Sequence, residues 1–132
     1  MTRRTVHDLV SEAKAAIEEL SVDQLRAEVE AGICTVVDIR DVRERIASGS
    51  IPGAVSAPRG MLEFWLDPES PYAKPVFQEE KRFLFYCNTG WRSALASKVA
   101  QDMGLERVCH LEGGFTAWTE GDAPVEAVER RK

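Results

Sequence analysis

The chain has 132 residues, 44% of them hydrophobic and 30% charged, with a formal net charge of −5. That length fits one domain able to bury a core without disulfides, and an acidic chain with no basic stripe argues against nucleic acid as a partner. No apolar run approaches a membrane span, and no apolar core follows the basic Thr2-Arg3-Arg4 start, so a cytoplasmic protein with no membrane partner is expected. The three cysteines, Cys34, Cys87 and Cys109, are odd in number and widely spaced. Neither a disulfide framework nor a zinc site fits that spacing.

Val6, Leu9, Val10, Ala13, Ile17 and Leu20 recur at helical spacing and predict an amphipathic helix over 5–20. Residues 1–18 read as an extension ahead of the main domain. Its stripe either packs on the body or makes a dimer contact; such stripes usually face a core. Ser21-Val22-Asp23-Gln24 is a capping-box pattern, and Gly32 is a favoured helix stop. Ile33 to Asp38 reads as a buried strand rich in β-branched residues, with Cys34 as core filling. Arg40 and Glu44 lie four apart at the start of a short helix, where they are expected to pair. That helix ends near Gly49. Ile51-Pro52-Gly53-Ala54 turns into a short strand at Val55-Ser56. Met61 to Leu66 reads as a short apolar helix, and Pro68, Pro71 and Pro75 then break regular structure. Phe64, Trp65 and Tyr72 either wall a pocket or cover the core, and the second is the commoner use.

Phe83-Leu84-Phe85-Tyr86 reads as a buried strand, and Cys87 ends it. The loop Asn88-Thr89-Gly90-Trp91-Arg92 follows, with Ser93 opening a helix that runs to Met103 and stops at Gly104. A helix start leaves N–H groups without partners and carries partial positive charge. A tight loop before it curls those groups into an anion-binding concavity, which holds a facing cysteine as thiolate. Two readings of Cys87 stand: a small buried hydrophobe, or a nucleophile. Gly90 and Arg92 after a strand-end cysteine favour the nucleophile. Arg107 to Leu111 reads as the last strand. Cys109 within it reads as inert and His110 as structural, since no ligand lies at metal spacing. Gly113 and Gly114 permit close backbone approach before a last helical turn at Phe115–Trp118. Pro124 and the charged tail 126–132 are expected to fray.

Cys87-Asn-Thr-Gly-Trp-Arg92-Ser resembles the active-site loop of single-domain rhodaneses, a sulfurtransferase family. Asp38-Ile-Arg40-Asp-Val-Arg-Glu44, running on to Ile51-Pro52-Gly53-Ala54, looks like the first signature of that family, although Ser50 stands where it often has His. Leu111-Glu-Gly113-Gly114-Phe115-Thr-Ala-Trp118 is similar to its closing signature. The resemblance implies an α/β fold over 19–125, a five-stranded, mainly parallel sheet with helices on both faces. It implies a sulfane sulfur carried on Cys87 from thiosulfate or a persulfide to a thiol or cyanide. Its partners would be a small anionic donor and that acceptor, with no metal or organic cofactor. The N–H groups of Asn88, Thr89, Gly90, Trp91 and Arg92 would cradle the persulfide, and Arg92 would steer the donor. Trp91 either shapes the mouth or anchors the loop. Asp38, Arg40 and Glu44 would brace the loop. Two rivals stand beside this reading. One is a persulfide relay or interaction module for a partner protein. The other is a rhodanese-fold phosphatase or arsenate reductase, against which the Cys87–Arg92 loop is one residue short.

Overall fold

A computed structural model of the protein describes residues 3–130. Residues 1–2 of the expected extension and 131–132 of the expected tail lie outside them. Thr5 Oγ1 accepts the Asp8 N–H at 3.1 Å, and the Asp8 carboxylate accepts the Thr5 N–H at 3.1 Å, which opens α1 (Val6–Ala16). Ser21 and Gln24 form the same reciprocal pair at 3.2 and 2.8 Å and open α2 (Val22–Ala31). Each box satisfies N–H groups that a first helical turn leaves without partners. Gly32 ends α2 at φ +67°.

The helix expected over 5–20 is shorter. It stops at Ala16, and Glu18–Leu20 form β1, which pairs in parallel with β5 (Val108–Leu111). Leu20 fits a helical stripe and a short strand equally well. Tertiary pairing decides, because β5 would otherwise leave an unpaired edge beside the core. With β2 (Cys34–Asp38), β3 (Val55–Ser56) and β4 (Arg82–Tyr86), the sheet has five strands in the order β1-β5-β4-β2-β3, and all its pairings are parallel.

The remaining helices are α3 (Val42–Ser48), α4 (Leu62–Leu66), α5 (Trp91–Asp102) and α6 (Gly114–Glu120). Alternation along the strands sorts the core into two layers. Val37, Phe83, Phe85 and Cys87 pack with Leu62 and Leu66 of α4 and Ala96 and Ala100 of α5. Val36, Leu84 and Tyr86 pack on the other face with Leu25 of α2 and Phe115 and Trp118 of α6. Strand β4 is therefore apolar in four successive residues, Phe83–Tyr86, as a parallel strand covered on both faces must be. Each fully buried large apolar side chain there contributes about 1.5–3 kcal/mol.

Helix α1 packs on α5 through Val10, Ala13 and Ala94. Of the three aromatics in the irregular stretch, Trp65 packs against the core, whereas Phe64 and Tyr72 are exposed. The tail does not fray from Glu126. Ser50 and Glu126 exchange two backbone hydrogen bonds of 2.9 Å, and Gly53 donates its N–H to Glu126 Oε1 at 3.0 Å. Gly49 permits this crossing, since a Cβ there would lie 2.8 Å from the Glu126 carbonyl oxygen. Among the described residues no helix is long and apolar enough to cross a membrane.

Candidate active site around Cys87

Strands β2 and β4 run in parallel with Asp38 beside Tyr86, so their carboxyl ends open on one edge of the sheet. Cys87 follows β4 at that edge and is 1% exposed. Helix α5 begins at Trp91, two residues before the expected Ser93. Gly90 is its N-cap at φ +105°, with no side-chain cap. That left-handed turn, open to glycine, aims two backbone donors at one atom. The N–H groups of Gly90 and Ser93 reach Cys87 Sγ at 3.2 and 3.4 Å. Hydrogen bonds to an ionised acceptor are stronger than those to a neutral one, so two donors converging on one atom form a place for an anion. The second donor comes from Ser93, one residue beyond the expected cradle.

The loop is also held from α6. Phe115 N–H donates to the Cys87 carbonyl oxygen at 2.8 Å, and Thr116 N–H to that of Asn88 at 3.0 Å. This approach needs Gly114, which lies at φ +59°. A Cβ there would sit 2.5 Å from the Cys87 carbonyl oxygen and 2.6 Å from Asn88.

Behind the loop lies a buried ionic layer. Asp38 and Arg40 are both fully buried. Arg40 Nε and Nη2 donate to the two Asp38 oxygens at 3.0 and 2.8 Å, and its guanidinium lies 4.3 Å from the Phe115 ring centre. Nη1 donates to Ser48 Oγ at 3.0 Å and to Asn88 Oδ1 at 3.2 Å, and Nη2 to the Gly49 carbonyl at 2.7 Å. Asp38 Oδ2 also accepts from Arg45 Nε at 3.0 Å and Tyr86 Oη at 2.7 Å. Burial first, and the Asp38 charge second, push the Tyr86 phenol up to about 12, which keeps it a donor.

The expected Arg40–Glu44 pair does not form. Helix α3 starts at Val42 with Asp41 as its cap, so Arg40 is outside the helix and the four-residue spacing does not apply. Glu44 instead takes a bidentate grip from Arg92, at 2.8 and 3.0 Å, and accepts Asn88 Nδ2 at 2.8 Å. The Arg92 hydrogen bonds hold the Glu44 carboxyl below its ordinary value. In return, Glu44 raises Arg92 further, with a smaller contribution from Cys87 nearby. Asn88 thus bridges the two ion pairs through its own amide.

Asp38, Arg40, Glu44, Asn88 and Arg92 converge behind or beside the sulfur. Thr89 and Trp91 stand exposed on the rim, and Trp91 meets His7 of α1 edge-on at 4.7 Å between ring centres. Trp65 lines a separate cleft of about 710 Å³ with Val42, Arg45 and Lys74; Tyr72 and Cys87 do not line it. Sequence reasoning missed Tyr86, Ser93, Glu19 and the contacts of His110. Asp41-Val42-Arg43-Glu44 was legible as a capping box; nothing in the sequence marks Glu19 as a neighbour of His110.

A family model for the rhodanese-like domain matches residues 21–121. A human thiosulfate:glutathione sulfurtransferase is 28% identical over 115 residues, covering 83% of this chain and 99% of that protein. A thiosulfate sulfurtransferase of Shewanella oneidensis is 29% identical over 109 residues, covering 83% and 99%. The solved structure of a Rhodopseudomonas palustris protein of unknown function, described as a possible tyrosine phosphatase, is 52% identical. It superposes with a TM-score of 0.92 over 96% of this chain and 97% of its own. A fold of five parallel strands, a cysteine loop at their carboxyl edge and a family match across most of the chain lead to one conclusion: this protein belongs to the rhodanese-like domain family.

Proposed function

We propose that the protein is a sulfurtransferase that carries a sulfane sulfur on Cys87. The reading rests above all on the Gly90 and Ser93 N–H groups, which converge on Sγ at 3.2 and 3.4 Å. The Cys87 thiolate attacks the outer sulfur of thiosulfate or a persulfide. The donor sulfur–sulfur bond breaks, and sulfite or a thiolate leaves with the electron pair. An acceptor thiolate or cyanide then attacks the terminal sulfur of the Cys87 persulfide and regenerates the thiolate. Splitting the transfer in two predicts ping-pong kinetics. The same N–H groups stabilise the anion at each stage, as fixed donors do without reorganising. In this reading the loop N–H groups from Asn88 to Arg92 cradle the outer sulfur, and Arg92, with Glu44 neutralising part of its charge, draws the donor to the rim. Asp38, Arg40 and Glu44 keep the loop in shape. No cofactor enters either step.

Tyrosine phosphatase chemistry is the second reading, because of the Rhodopseudomonas palustris neighbour's description. Two observations weigh against it. The loop from Cys87 to Arg92 is tight around a nearly buried sulfur, and the Arg92 guanidinium is already held bidentately by Glu44. A phosphoryl group would have to compete for that fork.

Intact-protein mass spectrometry after incubation with thiosulfate tests the proposal. The expected result is a gain of one sulfur that cyanide removes, in the wild type and not in Cys87→Ser. Loading only by a protein persulfide would replace thiosulfate with a relay partner. No loading by any sulfur donor, with hydrolysis of an aryl phosphate, would overturn the proposal in favour of the phosphatase.

A further inference from the structure

His110 is fully buried on β5, on the same sheet face as Cys87. Its ring nitrogens are both engaged. Nδ1 lies 2.9 Å from Ser93 Oγ, and Nε2 lies 2.8 Å from Glu19 Oε2 on β1. Ser93 Oγ lies in turn 3.6 Å from Cys87 Sγ, within hydrogen-bond reach for sulfur. With the thiol and the imidazole both neutral, one assignment of hydrogens satisfies every contact. The Cys87 thiol donates to Ser93 Oγ, the Ser93 hydroxyl donates to His110 Nδ1, and His110 Nε2–H donates to the Glu19 carboxylate. The chain starts at a nearly buried sulfur and ends at a carboxylate whose side chain is 29% exposed.

Resting on the sulfurtransferase reading, we propose that Ser93, His110 and Glu19 form a proton relay for Cys87. As the thiolate forms, the Cys87 proton moves to Ser93 Oγ and the Ser93 proton moves to His110 Nδ1. Total charge is unchanged: a thiol and an imidazole become a thiolate and an imidazolium. Every hydrogen bond from Sγ to Nδ1 reverses direction, so the Ser93 hydroxyl then donates to the thiolate. The reverse shift reprotonates Cys87 after the acceptor removes the outer sulfur. Glu19 fixes the tautomer by holding Nε2–H and stabilises the imidazolium, the part a carboxylate plays behind any histidine base. His110 acts through Ser93 and is a positioning and relay residue rather than a group that touches substrate.

Burial keeps the His110 ring neutral at rest and weakens it as a base, and the Glu19 carboxylate is the group that offsets this for the imidazolium. Burial lowers His110 from its ordinary value, and the hydrogen bond and charge of Glu19 oppose that. Lys14 on α1 lowers it further, and Glu112 just past β5 raises it. A ring that rests neutral is available to take a proton.

The test is the pH profile of Cys87 alkylation by iodoacetamide, read on the Cys87 peptide by mass spectrometry. It needs no sulfur donor, so a failed relay and a failed sulfurtransferase reading remain distinguishable. Ser93→Ala keeps the Ser93 N–H and removes only the hydroxyl. Ser93→Ala and His110→Asn are each expected to move the profile to higher pH and slow alkylation at neutral pH about tenfold. The double variant should be no slower than the slower single, because the two break one chain. Glu19→Gln should move the profile the same way by a smaller step. A His110→Asn profile that overlays the wild type, or losses that add in full in the double variant, would overturn the relay. If His110→Asn does not fold, Ser93→Ala and Glu19→Gln decide the matter, and two wild-type profiles there would be fatal to it.

Discussion

Each end of the sheet's central region holds an arginine gripped by glutamate near a cysteine sulfur, yet the two ends are chemically opposite. At the amino end, Arg82 forms ion pairs with Glu18 at 2.8 Å and with Glu28 at 2.9 Å, the second without hydrogen-bond geometry, near Cys109 and Cys34. At the carboxyl end, Arg92 bonds Glu44 near Cys87. Burial pushes the Cys109 thiol up to about 12 and Cys34 up to about 11, despite the opposing pull of Arg82. Cys109 Sγ donates, to the Phe83 carbonyl at 3.7 Å. Cys87 Sγ also has a hydroxyl to donate to, Ser93 Oγ at 3.6 Å, but unlike Cys109 it accepts from two backbone N–H groups as well. An arginine nearby does not activate a thiol when its charge is already paired. The direction of the backbone dipoles around the sulfur separates the two ends.

The sharpest way to break that contrast is to exchange the sulfurs. Cys87→Ser should lower sulfur transfer at least about 10³-fold, while Cys34→Ser and Cys109→Ser stay within about twofold per folded molecule. Steady-state transfer to cyanide measures all three, and a dead Cys109→Ser that is still folded would contradict the contrast. Gly114→Ala comes next, because it shifts the dipoles and leaves the charges alone. Its methyl group would meet the Cys87 and Asn88 carbonyl region, so we expect a loss of about 1–3 kcal/mol in urea unfolding and about 10²-fold in transfer. A fully active Gly114→Ala would mean that the α6 contact does not shape the loop.

Glu44→Gln does the reverse. It frees Arg92 and leaves the N–H cradle in place, and transfer should fall only about tenfold. It also carries a pH signature. The Glu44 carboxyl is held below its ordinary value of 4.5, so its stabilising pair is intact above that pH and is lost as pH falls through the depressed folded value. Acid unfolding midpoints should therefore be less pH-dependent below about 4.5 in Glu44→Gln than in the wild type. The smallest effect on transfer belongs to the amino end. Arg82→Gln strands Glu28 and should cost about 3 kcal/mol of stability, with transfer per folded molecule unchanged. Reduced transfer at full folding would show that the two ends communicate.

Much of this contrast was legible in the residues. The run Phe83–Tyr86 reads as a buried strand, and Cys87 before a glycine-bearing loop places the sulfur at its carboxyl end. Ser21-Val-Asp-Gln24 and Gly32 mark the limits of α2 because capping chemistry is local. What stayed hidden was set by tertiary contact. The start of α5 at Trp91 is not marked in the sequence, because Gly90 caps it by backbone conformation, at φ +105°, without a side-chain oxygen. Arg40 and Glu44 looked like a helical pair because spacing does not reveal that the helix begins after Arg40. His110 was read as structural for want of ligands at metal spacing, and its partners, Ser93 and Glu19, come from two other elements.

The contact between His110 and Glu19 joins residues 91 positions apart, and it has a consequence for how the protein is made. Strand β1 leaves the ribosome before the other four strands of the sheet, and its sheet partner is β5, the last of the five. Until residues 108–111 emerge, β1 has no partner in the sheet. Sheet closure of such high sequence separation is slow, and it waits for the last strand of the sheet. The nascent chain can assemble β2, β3 and β4, and with them the ionic layer of Asp38 and Arg40, while the sulfur still lacks His110 behind Ser93. A stalled chain ending before β5 should therefore hold Cys87 and Ser93 without the His110 contact, so that the surroundings of the thiol are completed only once β5 is in place.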